Sequence, residues 1–465
     1  MNIRATILFI FIAGLFYALS IMGSGCAQVG MPTGGLRDSI PPALLNSIPP
    51  NNSTNFKGNR VTLTFDEYVH LENVQQNLLV SPTPKINPTI DFKLKTVTIK
   101  LRDTLEPNTT YSLQLGNSIQ DVNENNPSPD FTYVFSTGVY IDSLTFSGNV
   151  QLAETGKTDS TLLVFLYNDF SDSAVYKQKP KYITRLDSAG RFKFKNLASG
   201  VYNVFALKDE SGQRVYSSKT QIFSFADSVI NIYNEVKPIK LFAYIEEKEA
   251  PKAASNTSNK NKADKKLNFT SSLLNETQDL LTPLTLVFSD SLKNFDSTKI
   301  KLTDTLFNPI STALVFIDTT YKKISIQNNW EESTKYKLLI DKDFATDTLG
   351  NALLENDTLS FKTKRDSEYG SIKLIFKNLE KFRRPVLQFV VNNQVANSYP
   401  LTSATFNQTL FNPGEYELRI LDDDNQNGLW DPGNYDLKKQ PEIVYSISQI
   451  LSIKANWENE RDIEL

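Results

Sequence analysis

Apolar and polar residues alternate in short runs along most of this chain, the period of a strand with one buried face. Val61-Thr-Leu-Thr-Phe65, Thr96-Val-Thr-Ile-Lys-Leu101, Tyr111-Ser-Leu-Gln-Leu115 and Phe131-Thr-Tyr-Val-Phe135 all read this way. Turn clusters such as Pro49-Pro-Asn-Asn and Asn123-Glu-Asn-Asn-Pro127 separate them. Short strands at this spacing predict antiparallel β-sandwiches. Around Thr184 to Tyr202 the pattern predicts strand, turn, strand and turn, with Phe192, Phe194 and Leu197 inward and Lys193 and Lys195 in water.

The pattern recurs. Val61-Thr-Leu-Thr-Phe65 matches Leu284-Thr-Leu-Val-Phe288, Thr110-Tyr111 matches Lys335-Tyr336, Asp121 matches Asp347, and Phe135-Ser-Thr137 matches Phe361-Lys-Thr363, at offsets of 223 to 226 residues. Behind each copy lies a second matched pair, Gly200-Val-Tyr202 and Gly414-Glu-Tyr416, at an offset of 214. The order is that of a duplicated two-domain unit. Between the copies, Glu246 to Lys266 lacks large apolar residues and predicts a disordered linker. A cut there is expected to give two independently folded halves.

The N-terminus breaks the strand pattern. Arg4 precedes eighteen almost wholly apolar residues, Ala5 to Met22, and Gly23-Ser24-Gly25 then lead to Cys26. A charged end, an apolar stretch and small residues are the parts of a secretory signal. The segment could also remain as a membrane helix or be removed by simple secretion. Nothing later is long and apolar enough to span a bilayer, so the rest is expected to be soluble. Small residues followed at once by Cys resemble a bacterial lipoprotein lipobox, with Gly23 where that motif has an aliphatic residue. The resemblance implies cleavage before Cys26, its lipidation (a palmitate among the acyl groups) and outer-membrane anchoring, so that Cys26→Ala should leave the membrane fraction. The acidic cluster that surface-exported Bacteroidetes lipoproteins often carry after the Cys is absent, which favours the periplasmic face.

Two family resemblances follow. Pro41-Pro42, Pro49-Pro50, Phe65-Asp66-Glu67, Leu105-Glu-Pro-Asn-Thr-Thr-Tyr111, Asp121 and Phe135-Ser-Thr-Gly138 resemble the bacterial Ig-like domain of the S-layer (SbsA) type. Thr184 to Tyr202 resembles the transthyretin-like and carboxypeptidase-regulatory-like sandwiches, which are usually non-catalytic spacers or docking units. The expected order is a signal peptide (1–25), a tether (26–37), an Ig-like domain (38–140), a transthyretin-like sandwich (141–240), a disordered linker (241–269), a degenerate Ig-like domain (270–365) and a second transthyretin-like sandwich (366–465). The fold class is all-β, a tandem array of antiparallel β-sandwiches.

Composition narrows the function. Lys and Arg total 49 against 52 Asp and Glu, a net charge of −3, without the basic excess of a nucleic-acid binder. The 29 Phe and 19 Tyr fit β-rich chemistry. One Cys excludes an internal disulfide, and one His, His70, excludes His-pair metal sites and argues against His-dependent triads. Nucleotide-binding, hydrolase and zinc-protease motifs are absent. Asp66 and Glu67 are the best carboxylate pair, but adjacent strand residues point to opposite faces. No catalytic residue is assigned, and the chain is expected not to be an enzyme.

One loop carries candidate metal chemistry. Asp423-x-Asn425-x-Asn427-Gly428 has the spacing of the first half of an EF-hand loop. Asp423, Asn425, Asn427, the Leu429 carbonyl and Asp431 would be calcium ligands, with Asn434 where the bidentate Glu belongs. The equivalent loop at Asp209 lacks the Asn residues, so calcium should act on the last module and not on the second. The alternative is an Asx-rich loop closed by its own side chains. Asp followed by Ser or Thr and then a small or aliphatic residue or Thr occurs thirteen times, where ordinary composition gives roughly two. That pattern resembles the Bacteroidetes O-glycosylation motif, and it also suits turns entering strands. The sequence therefore predicts a structural or interaction scaffold with no cofactor beyond a possible calcium. It would be anchored in the outer membrane and dock an unidentified envelope protein or glycan. A carbohydrate-binding or adhesion protein is the alternative, with Trp430 its candidate exposed aromatic.

Overall fold

The computed structural model describes residues 9–17, 37–248 and 266–465. Residues 9–17 are helical with exposed apolar side chains, and no helix among the described residues is long and apolar enough to cross a membrane. Cys26 and residues 249–265 lie outside the described residues. The remaining described residues are mainly β-strands joined by turns and loops, as the alternating pattern predicts, with single helical turns at Val74–Asn77, Ala174–Lys177, Ser297–Lys299, Asp366–Glu368 and Leu379–Lys381.

Two compact units make up the chain. The first comprises Met1–Leu78, Ile86–Thr104 and Leu113–Val134. Its main sheet runs Leu44–Ile48, Arg60–Phe65, Thr96–Lys100, Thr89–Lys93, all antiparallel. Val61, Leu63, Phe65, Val97 and Ile99 are fully buried, while the residues between them face outward, so period-two patterning places this core.

The second unit comprises Leu79–Lys85, Leu105–Ser112 and Phe135–Leu465. It holds three sandwich modules. In the first of these, Leu144–Leu152 pairs antiparallel with Arg191–Leu197 and parallel with the last strand, Ile239–Ile245. Phe192, Phe194 and Leu197 enter the core with Phe146, Val164 and Leu241. In the last module, Gly370–Lys377 pairs antiparallel with Thr405–Phe411 and parallel with the last strand, Glu458–Glu464. The two modules thus share a topology, and a matched tyrosine seats each. Tyr202 Oη donates to the Ala198 carbonyl at 2.9 Å, and Tyr416 Oη to the Asn412 carbonyl at 3.0 Å.

Between them, 267–365 forms a sandwich of two four-stranded sheets, Phe269–Ser271, Leu284–Phe288, Lys323–Gln327, Leu314–Ile317 against Thr277–Gln278, Asp357–Thr363, Lys335–Ile340, Ile300–Thr303. Leu284, Leu286, Ile324, Leu338 and Phe344 fill the space between the sheets. The linker boundaries of 241 and 269 are corrected at both ends. Ile239–Ile245 is a strand with Leu241, Ala243 and Tyr244 buried, and Leu267 is buried with its N–H on the Ala352 carbonyl. The alternation Leu241-x-Ala243 continues a strand that the boundary cut short.

Candidate functional site

The feature that ties the second unit together is the segment 423–442, which leaves strand Gly414–Asp422 and returns into strand Ile443–Ile453. Its first half closes on itself. Asp423 is buried, and its carboxylate accepts from the N–H groups of Gln426 (2.7 Å), Asn427 (3.3 Å) and Gly428 (2.8 Å). Asn425 Oδ1 accepts from Asn427 N, and Asn427 Oδ1 from Leu429 N. The side-chain amides of Asn425 and Asn427 both donate to Asp431 Oδ2. The structure thus brings Asp423, Asn425, Asn427, Leu429 and Asp431 into one loop, with its carboxylates already engaged as acceptors. Among the described residues no group of three or more His, Cys, Asp or Glu is arranged to hold a metal ion. The observed bonding is that of the self-closed Asx loop.

Sequence spacing missed Glu442. Its carboxylate accepts from Asp424 N at 2.9 Å and Asp431 N at 3.0 Å, and its carbonyl accepts from Trp430 Nε1 at 2.7 Å. It therefore fastens the two ends of the loop. Burial pushes its carboxyl above the usual range, with the charges of Asp423 and Asp431 adding to the rise against those two N–H bonds. Glu442 is eleven residues beyond Asp431 in sequence and belongs to no motif, so only the returning chain reveals it. Asn434, at the EF-hand's glutamate position, instead bonds Glu246 at 2.7 Å. Trp430 is half-buried beneath Lys248, so it is not the exposed aromatic that a glycan platform needs.

The second half of the loop reaches the module 141–245. Tyr435 is buried there, its ring 5.4 to 5.8 Å from those of Phe205, Phe223, Phe225 and Tyr176. Around it Tyr176 Oη donates to Asp436 (2.8 Å), and Gln440 Nε2 donates to the Phe225 carbonyl (3.0 Å) and Asp227 (2.6 Å). Ion pairs Lys438–Asp172 (2.7 Å) and Lys157–Glu417 (2.9 Å) flank the seam, and Val444 N bonds the Ala153 carbonyl. Gly433 packs so closely on the Tyr244 ring that a Cβ would lie 2.6 Å from it. Against the expectation of two independently folded halves, the last module is thus seated on the module 141–245, and whether the halves separate on cleavage rests on this seam. Sequence shows the polar break between the copies, but the contacts across it come from Tyr435 and its neighbours, which no sequence motif singled out.

The remaining sequence candidates have structural tasks. His70 sits half-exposed on strand Val69–Leu71 opposite Gln120. Asp66 accepts from Ala43 N at 2.8 Å. Glu67 is raised by burial first, then by the charges of Asp121, Asp66, Asp38 and Glu124. Asp121 is buried and accepts from the N–H groups of Glu124, Asn125 and Asn126, and Asp347 likewise accepts from Leu349 and Asn351. At the Asp-Ser/Thr motifs, Asp38, Asp159, Asp187, Asp296, Asp304 and Asp347 each accept the N–H two residues on, leaving Ser39, Ser160, Ser188, Ser297, Thr305 and Thr348 exposed.

Comparison with known proteins gives three solved structures of low similarity and one domain family. The major pilin subunit BcpA of Bacillus cereus is 11% identical, covering 69% of this chain and 99% of that one, with a TM-score of 0.17. The N-terminal part of the bacterial S-layer protein SbsC is 16% identical over 44% of each chain, with a TM-score of 0.16. The TIE protein of Bacillus anthracis is 10% identical, covering 93% of this chain and 75% of that one, with a TM-score of 0.18. No curated protein matches. Residues 38–137 match the family described as bacterial Ig-like domain, and it is this domain that the first sandwich of the chain resembles.

Proposed function

We propose that this chain is a non-catalytic scaffold of the cell envelope, lipid-anchored through Cys26 on the periplasmic face of an outer membrane. Its modules 141–245 and 366–465 are the transthyretin-like spacers, and they support docking of an envelope protein. The observation that carries the reading is the seating of Tyr435 among Phe205, Phe223, Phe225 and Tyr176. A buried aromatic ringed by hydrogen bonds and ion pairs joins two modules rigidly, where a polar linker alone would let them drift. Fixed spacing is useful to a support and is unnecessary for a secreted single-domain binder. The motif carboxylates support the same reading, because Asp121, Asp347 and Asp423 each hold backbone N–H groups of their own loops.

The test is membrane fractionation of the full chain and of Cys26→Ala, followed by cross-linking and purification from detergent extracts. Wild type should sediment with membranes and bring down one or more envelope proteins stoichiometrically. Cys26→Ala should move to the soluble fraction with its folded modules intact. Full sedimentation of Cys26→Ala would refute the anchor, and a chain that captures no envelope protein when cross-linked would refute the scaffold.

A further inference from the structure

In the second Ig-like module, strands Thr277–Gln278, Asp357–Thr363, Lys335–Ile340 and Ile300–Thr303 form one sheet, and its outward face carries a lysine stripe. Tyr336, Leu338 and Ile340 point into the core, so Lys335, Lys337 and Leu339 point out. Lys362, Ser360 and Thr358 point out from the neighbouring strand, and Lys301 from the other side. Lys335 stands directly opposite Lys362, Lys337 opposite Thr303 and Ser360, and Lys301 opposite Leu339. No carboxylate occupies an outward position of this sheet, and none of these four lysines has an ion-pair partner among the described residues; the lysine pairs of this module are Lys299–Asp343 and Lys364–Asp279. Yet acidic residues outnumber lysines in 267–364, so the stripe is a segregation of charge within an acidic domain.

Like charges directly opposite on a sheet oppose its pairing. The matched positions of the first copy show that the fold does not require them. Thr110, Ser112 and Ser136 stand where Lys335, Lys337 and Lys362 stand in the second copy, and all three are buried. In the second copy Lys335 and Lys362 are exposed and Lys337 half-exposed. Beside the stripe, the loop after Ile300–Thr303 exposes Leu306 and Phe307, and the Lys337 ammonium lies 3.8 Å from the centroid of the Phe307 ring, which is still 56% exposed.

We propose that this face binds an anionic polysaccharide, a chain of carboxylated sugars laid across the lysines with a sugar ring against Phe307. Charge complementarity fixes the sign of the partner. The sheet's backbone groups are tied up in its ladder, so side chains must recognise the ligand: the ammonium groups first, with the Thr358 and Ser360 hydroxyls and the Phe307 ring beside them. The strand positions that carry them repeat about 5 Å apart across strands and about 7 Å apart along one, an array suited to a linear polyanion rather than to a single small anion. Lysines present point charges and lack the planar fork that arginine offers to phosphate. An exposed aromatic face beside a cation suits a ring that carries both apolar C–H groups and a carboxylate. Screening limits the patch to roughly 8 Å at physiological salt, so the negative charge of the rest of the chain does not cancel it. This goes beyond the scaffold reading, since a support could keep a neutral face here.

The test uses the full chain in non-ionic detergent, titrated with polygalacturonate, neutral dextran and inorganic polyphosphate. Wild type should bind polygalacturonate and not dextran, with affinity falling steeply as salt rises. Lys335→Gln combined with Lys337→Gln and Lys362→Gln should weaken binding by on the order of tenfold or more at low salt. Phe307→Ala should weaken polygalacturonate and leave polyphosphate unchanged. Lys362→Glu keeps the test decisive if the triple variant misfolds, because it places a carboxylate opposite Lys335; it should raise the melting temperature while lowering affinity. Polygalacturonate binding that is absent, or unchanged in the lysine variants, would overturn the proposal. So would polyphosphate binding as tight as polygalacturonate with Phe307→Ala altering neither, which would make the face a general polyanion patch.

Discussion

Asp121 and Asp347 are buried carboxylates at matched turns; Asp121 accepts from the N–H groups of Glu124, Asn125 and Asn126, and Asp347 from the Asn351 side-chain amide and the N–H groups of Leu349 and Asn351. Burial alone would raise both carboxyls, but those hydrogen bonds outweigh it and hold them below the ordinary carboxylate range. The folded chain therefore holds fewer protons at these sites than the unfolded chain. The stability they supply is present above the unfolded carboxyl value of about 3.9 and is lost as the pH falls through the lower folded values. Asp121→Asn should cost about 1–3 kcal/mol at neutral pH, since one amide oxygen cannot accept three N–H bonds, and it should flatten the acid limb of the unfolding curve. Thermal melts from about pH 1.5 to 7 check this; an unchanged acid limb would refute it. Asp423 also accepts backbone N–H groups of its own loop, those of Gln426, Asn427 and Gly428. Asp423→Ala should lower the melting temperature equally in millimolar calcium and in chelator if the hydrogen bonds alone close the loop. A calcium-dependent rise in the wild type would instead mean that the oxygens of Asp423, Asn425, Asn427, Leu429 and Asp431 turn inward onto a cation.

At the scale of elements, strands and turns follow directly from local chemistry, and the two copies show how closely. Tyr202 and Tyr416 make the same bond four residues back, and Thr137 and Thr363 both donate to the carbonyl at the start of their turns, Glu106 and Glu331. The element that departs from local rules is 423–442. Its hydrophilic first half obeys Asx-turn chemistry, while its second half carries Tyr435 into a foreign core. Tyr435→Ala removes an aromatic side chain from that seat and leaves the pocket of Phe205, Phe223 and Phe225 unfilled. The loss should be about 3–5 kcal/mol, read as a separate, earlier thermal transition, whereas Tyr435→Phe should retain most of the stability because the ring stays. A single unchanged transition in Tyr435→Ala would show that the flanking hydrogen bonds and ion pairs suffice.

For the whole molecule, the same seat sets how the second unit behaves when its chain is cut. A protease site engineered within 249–265 should yield fragments that elute together in gel filtration, because 366–465 grips 141–245 through Tyr435, Gln440 and Lys438. Adding Tyr435→Ala should let the fragments separate. Fragments of the wild type that separate at once would restore the picture of independent halves. The unit would then be a scaffold of loosely joined parts and not one rigid support.

The sequence by itself determined the all-β class, the sandwich modules and the matched tyrosines and aspartates, while for the 423–431 loop it left a calcium site and a self-closed Asx loop side by side. These depend on residues near one another in the chain: period-two alternation decides which face is buried, and Asp or Asn two to five residues before a free N–H decides a turn. Tertiary structure alone decided three things. Glu442 joins the loop because a strand return brings it back. Tyr435 becomes a core residue because a pocket in another module is there to receive it. Lys301, Lys335, Lys337 and Lys362 become one stripe because register aligns three strands. Each is a relation between residues distant in sequence, and no local preference encodes the partner that gives such a residue its meaning.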